Sequence, residues 1–161
     1  MAGILIIAHT PFASALRDCI AHIYGGLPAR IGVLDIAPTD DPVGVLGQAS
    51  AEVERLREEN GVLVLTDLYG ATPCNIASRL SSLPQVRVVS GVNLPMLVRA
   101  VCYRSIPLDT LADKALAGGA KGIQMVMPSP TPSNVTSLAS LFTSCIPETE
   151  HHAATRNEDC Q

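Results

Sequence analysis

The chain contains no tryptophan, and aromatic residues make up only 3% of its 161 positions. A core without bulky rings has to be filled by Leu, Ile, Val and Ala. Charge is also scarce: Asp, Glu, Lys and Arg account for 16%, against 47% hydrophobic residues. That balance excludes a disordered chain, which carries too little apolar surface to offset the entropy of ordering. The net charge is −4, and no Lys/Arg cluster is interleaved with aromatics. The basic stripe by which nucleic-acid binders meet phosphate backbones is therefore missing, and no nucleic-acid partner is expected. No stretch has the uninterrupted apolar length of a membrane span, so direct membrane insertion is not expected. The N-terminus lacks the charged segment and the long apolar run of a signal peptide. The expected location is the cytoplasm.

Motifs are missing too. The five cysteines (Cys19, Cys74, Cys102, Cys145 and Cys160) include no C-x-x-C pair. Neither a disulfide framework nor a zinc site is expected, and the thiols read as reduced. No Walker A sequence and no H-E-x-x-H occur, and Ser14 and Ser90 lie outside any G-x-S-x-G elbow. These absences set aside a P-loop nucleotide site, a zincin metal centre and an α/β-hydrolase nucleophile. No metal or other cofactor is expected.

What is present is an alternation of strand-like and helix-like segments. Residues 3–8 (GILIIA) are apolar throughout, as a strand buried on both faces must be. Residues 11–24 follow with Phe12, Leu16, Cys19, Ile20 and Ile23 at helical spacing, and Gly25-Gly26 end them. Residues 30–36 form a second strand and 42–59 an amphipathic helix through Leu46, Ala49, Val53 and Leu56. Strand 61–66, helix 73–80, strand 85–90 and a helix from Pro95 to Tyr103 come next. A further helix covers 108–117 and stops at Gly118-Gly119, and 121–126 (KGIQMV) reads as a last short strand. Short connections between alternating elements mean βαβ units. The expected fold is α/β and doubly wound, with a mainly parallel central sheet, helices on both faces and a short C-terminal edge strand. Residues 1–127 form the expected domain. Residues 128–161 form a Ser/Thr/Pro-rich tail: a linker from Pro128 to Pro132, a short helix over 134–145, and disorder from about 147.

In such folds ligands gather at the carboxyl ends of the strands. His9 and Asp67 both fall there, after strands one and three. Imidazole titrates near neutrality and is nucleophilic when neutral. One ring nitrogen of His9 can attack a phosphoryl group while the other requires a fixed acceptor, and Asp67 is the candidate. A histidine hydrogen-bonded locally at a helix start is the plain alternative. Residues 67–73 (DLYGATP) add a turn in which Gly70 permits close backbone approach. Thr72 is placed to cap a helix and Pro73 to begin it. Free N–H groups at a helix start suit a phosphate, although an ordinary strand-to-helix turn has the same composition. Thr10-Pro11 opens another helix beside His9, so a phosphoryl group there would meet N–H groups of two helices. Cys74, one residue into its helix, reads as redox-sensitive or simply as small and buried.

Three blocks, "ILIIAHTPFASAL", "GVLVLTDLYGATPCNIASRL" and "VVSGVNLPMLVRA", resemble in order and spacing the enzyme IIA domain of the mannose/fructose/sorbose family. That family belongs to the bacterial phosphoenolpyruvate-dependent sugar phosphotransferase system. The likeness covers roughly residues 1–127. It implies a phosphotransferase in which His9 accepts a phosphoryl group from the phosphocarrier protein HPr and passes it to an enzyme IIB component. It implies that Asp67 hydrogen-bonds His9, with Thr10, Tyr69, Gly70, Ala71 and Thr72 lining the phosphoryl pocket. The family often carries Trp-Gly-Gly-Ser-Pro where this chain has Tyr69-Gly70-Ala71-Thr72-Pro73, which keeps a hydroxyl at position 72. A homodimer is implied as well, with the last strand joining the partner's sheet edge. The stretch after Met127 is too short for a IIB domain, so a regulatory target instead of a transporter component stays open as the acceptor. A small-molecule-binding α/β domain is the remaining alternative.

Overall fold

The most apolar segment of the chain becomes the most buried strand. In the computed structural model, which describes residues 1–128, β1 spans Gly3–His9, and its first six residues are all buried. Strands β2 (Ile31–Ile36), β3 (Val62–Thr66) and β4 (Val86–Ser90) complete a four-stranded sheet in the order β2-β1-β3-β4. Every pairing is parallel. Helices α1 (Phe12–Tyr24), α2 (Pro42–Leu56), α3 (Thr72–Leu80) and α4 (Leu94–Tyr103) each follow a strand, and α5 (Leu108–Lys121) follows α4. Residues Met1–Val126 form one compact unit. No helix among the described residues is long and apolar enough to cross a membrane.

Because side chains alternate along a strand, the sheet builds two cores. On one face Leu5, Ile7, Val62, Val64 and Val86 meet Val45, Ala49, Val53 and Leu56 of α2 and Ile76, Ala77 and Leu80 of α3. The other face carries the equally buried Ile4, Ile6, Leu63 and Leu65; α1 and α5 pack against the strands there, and α4 packs against both helices. Both cores are aliphatic, as the composition requires. The doubly wound α/β expectation therefore holds, and the sheet is parallel throughout.

Local chemistry sets the boundaries. Helix α1 ends at Gly25, whose φ of 68° lies in the left-handed region, with the N–H of Gly26 closing on Ala21 O at 2.8 Å. Helix α2 stops at Leu56, short of the expected residue 59: Arg57 turns out with ψ 129°, and Glu58 bridges to Gly61. Cys19 and Cys74 are free thiols, whereas Cys102 is not among the free ones, so the expectation of reduced cysteines does not extend to it.

The largest departure is at the end of α5. Gly118-Gly119 does not stop the helix, which continues to Lys121. These glycines serve close approach to α4. A Cβ on Gly118 would stand 2.8 Å from Arg99 Cβ and closer still to its Cγ, and one on Gly119 would stand 2.8 Å from Met96 Cε. With Lys121 still helical, residues 123–128 form no strand within the chain, contrary to the expected strand over 121–126. The helix expected over 134–145, the linker beyond Pro128 and the tail from 147 lie outside the described residues.

Two glycine-to-alanine changes should therefore have opposite signs. Gly118→Ala forces α5 away from α4 and is expected to destabilise by about 1–3 kcal/mol. Gly47→Ala, in the middle of α2 with open space around it, is expected to stabilise by about 0.5–1 kcal/mol through helix propensity. Urea denaturation of both variants reads the two signs, and stabilisation by Gly118→Ala would remove the close-packing account.

Candidate functional site

The parallel register places Ile7 opposite Thr66 and His9 opposite Ile36. The chain thus leaves β1 and β3 side by side at the carboxyl edge. The strand order reverses direction between these two strands, which opens a crevice there. His9 is the last residue of β1 and Asp67 the first after β3.

The two residues meet. Asp67 Oδ2 lies 2.7 Å from His9 Nδ1 and also accepts the backbone N–H of His9 at 3.0 Å. Its Oδ1 accepts from the Leu68 N–H at 2.8 Å. Partial burial, the largest single influence, pushes the Asp67 pKa up, but the bonds from the His9 backbone and ring and the Leu68 N–H together outweigh it. The carboxyl group is held below the usual aspartate range. Asp67 is therefore a carboxylate at neutral pH. A carboxylate can only accept, so Nδ1 is the nitrogen that donates in this contact, and in the neutral imidazole that leaves the lone pair on Nε2. The imidazole is 48% exposed and Asp67 only 15%: the base is presented and its anchor is sheltered.

The turn after Asp67 exposes its apolar tips. Leu68 is 63% and Tyr69 84% exposed. Gly70 takes φ 80°, a value that favours glycine, and its carbonyl accepts from Asn75 Nδ2 at 3.0 Å. Thr72 is not the cap. Ala71 occupies that position with φ −78° and ψ 171°, and Thr72 is the first helical residue. Thr72 stands one step inside the helix, and among the described residues no side chain caps α3.

Helix starts along this edge differ in that respect. The Asp41 carboxylate caps α2 by accepting from Val43 and Gly44 N–H groups at 3.3 and 2.9 Å. Asn93 caps α4 by accepting from the Met96 N–H at 2.9 Å. Helix α1 is capped from a neighbouring strand: Asp35 Oδ1 accepts from the Ala13 and Ser14 N–H groups at 2.9 and 3.3 Å, and its Oδ2 accepts from the Ser14 hydroxyl. The Thr10 N–H is used as well, donating to Ile36 O at 3.1 Å, and the Thr10–Pro11 peptide is cis. The expectation of two open helix ends around His9 is thus corrected to one, that of α3. Sequence reasoning missed Asp35, whose only signal was an acid near the end of an otherwise apolar strand. Among the described residues no group of three or more His, Cys, Asp or Glu side chains is placed to hold a metal ion.

Residues 3–116 match the family model described as the PTS system fructose IIA component. The mannose-specific EIIAB component of Escherichia coli K12 is 30% identical over 108 residues, 65% of this chain, and the chain spans 33% of that relative's length. The phosphotransferase system component EIIA from Streptococcus agalactiae superposes with a TM-score of 0.70 at 31% identity, covering 78% of this chain and 97% of that one. The mannose/sorbose specific IIA subunit from Enterococcus faecalis gives 0.71 at 27% identity, with 81% and 98% covered. A fold match over nearly the whole of two solved IIA proteins agrees with a family model that takes in both His9 and Asp67: this chain belongs to the PTS fructose IIA component family.

Proposed function

We propose that the chain is a phosphocarrier of the bacterial sugar phosphotransferase system, taking a phosphoryl group from phosphorylated HPr onto His9 and handing it to an enzyme IIB partner in the cytoplasm. The observation that carries this reading is the 2.7 Å contact of Asp67 with Nδ1 of a half-exposed ring. It leaves Nε2 as the nucleophile. In the first step the Nε2 lone pair attacks the phosphorus of the donor's phosphohistidine. The donor's P–N bond breaks and its electron pair returns to the donor ring. The His9 ring then carries positive charge, which the Asp67 carboxylate stabilises. Onward transfer repeats the displacement, with the nucleophile of the IIB partner attacking the phosphorus and the electron pair returning to Nε2.

Transfer of this kind demands positioning and charge stabilisation more than covalent help. The uncapped start of α3, the Gly70–Ala71 backbone and the Thr72 hydroxyl are the groups assigned to the phosphoryl oxygens. Exchange between two proteins also requires a shallow site that a partner's side chain can reach in line. The exposure of His9, Leu68 and Tyr69 supports that requirement, with Tyr69 and Thr10 at the rim.

The same reading makes the chain a homodimer. Strand β4 is an outer strand of the sheet with an unpaired edge. Beyond α5, Ile123, Met125, Val126 and Met127 are 71–93% exposed. These apolar residues, exposed among the described residues, are assigned to the β4 edge of a second copy.

Incubation with phosphoenolpyruvate, Mg²⁺, enzyme I and HPr is expected to add one acid-labile phosphate, seen by intact mass, that His9→Ala abolishes. Absence of any transfer from several HPr sources would end the phosphocarrier reading. Asp67→Asn should slow transfer by about 10- to 100-fold, the range seen when a ring-orienting bond is lost. Quench-flow phosphorylation measures it, and an unchanged rate would remove the role given to Asp67. In sedimentation, the chain should run as a dimer and Met125→Pro as a monomer; a monomeric unmodified chain would overturn the edge-pairing assignment.

A further inference from the structure

Asp35 lies outside the His9–Asp67 pair, yet among the described residues no other side chain does as much to hold the segment that leaves His9. It sits on β2, opposite Ala8, and is partly buried. Its two oxygens take the Ala13 and Ser14 N–H groups and the Ser14 hydroxyl. Helix α1 has no other side-chain cap and no acidic residue in its own first turn. A single carboxylate, reaching over from the neighbouring strand, therefore meets the positive end of the helix that starts three residues after His9.

Two consequences follow from elementary electrostatics. First, α1 is tied to β2 at its start while the Thr10 N–H is tied to Ile36 O, so the backbone on the far side of His9 is as fixed as the side facing Asp67. Second, the Asp35 charge cancels the helix end that would otherwise attract a phosphoryl dianion on His9. The α3 start, which no side chain among the described residues caps, stays free to do so.

Resting on the phosphocarrier reading above, we propose that Asp35 is a positioning residue that also limits how tightly His9 holds its phosphoryl group. By neutralising α1, it keeps the phosphohistidine from becoming a thermodynamic sink, so that the group passes on. A carrier needs such a limit, because a phosphoryl group bound too favourably is received and not released.

The test is the equilibrium of phosphoryl exchange with HPr, measured on the full chain by phosphate-sensitive gel or ³¹P NMR. Asp35→Asn keeps a capping oxygen and loses the charge. It is expected to shift the equilibrium about two- to fivefold toward the phosphorylated protein, and to slow transfer to a IIB acceptor. Asp35→Ser, a shorter neutral cap, should shift it in the same direction and serves if Asp35→Asn does not fold. Asp41→Asn removes the corresponding charge from the exposed cap of α2. It is expected to lower the thermal midpoint without moving the equilibrium, which separates loss of stability from loss of charge. If the unmodified chain takes up phosphate on His9 and folded Asp35→Asn or Asp35→Ser matches it, the proposal on Asp35 falls and the phosphocarrier reading stands. An equal shift in Asp41→Asn would also overturn it. An unmodified chain that accepts no phosphate would instead remove the underlying reading.

Discussion

The parallel pairing of β1 with β3 is the constraint on which the carboxyl edge depends. It aligns Ile7 with Thr66, so the next residues of the two strands emerge as neighbours although 58 positions separate His9 from Asp67. Without that register the carboxylate would face a different part of the chain. The pairing is stabilised from both sides by aliphatic side chains, with Ile4 to Ala8 and Val62 to Leu65 fully buried. A one-residue slip would turn every side chain toward the other core, where the shapes of its neighbours no longer match.

On this rigid base the site acquires its chemistry from differences among helix starts. A parallel α/β fold brings several helix N-termini to one edge, each with unsatisfied N–H groups and partial positive charge. Asp41 and Asn93 satisfy their own helices, and Asp35 satisfies α1 from across a strand. Among the described residues, helix α3 alone of the four that begin there has no side-chain partner at its start. The edge is thus made selective by cancellation: one open helix start remains, next to one imidazole whose free nitrogen is dictated by an aspartate.

The packing of α4 against α5 follows the same logic of close fit. Asn93 joins both, with Oδ1 capping α4 and Nδ2 donating to Gly119 O at 3.1 Å. Gly118 and Gly119 let the helices approach where any side chain would collide. The segment after α5 carries exposed apolar residues, and among the described residues no strand pairs with the outer edge of β4.

How much of this was legible beforehand divides along a physical line. Elements whose signals are local could be read from the order of residues. The unbroken apolar run of β1, the Gly25-Gly26 stop, the helix opened by Pro95 and the alternation of strand with helix all report short-range sterics and periodic burial. Those features also implied a doubly wound sheet, and with it one shared edge for His9 and Asp67. Only the tertiary structure decided which groups meet there and which helix ends stay open. Gly118-Gly119 read as a stop, because helix propensity is local while the neighbour that excludes a Cβ is Arg99 on another helix. Thr72 read as a cap, because its neighbours in sequence fit one, but the backbone of Ala71 takes that conformation. Asp35 read as nothing in particular, since its partners Ala13 and Ser14 are brought to it by the β1–β2 ladder. Contacts between residues far apart in the chain have no local signature. They exist only once the sheet has set which strand ends are neighbours.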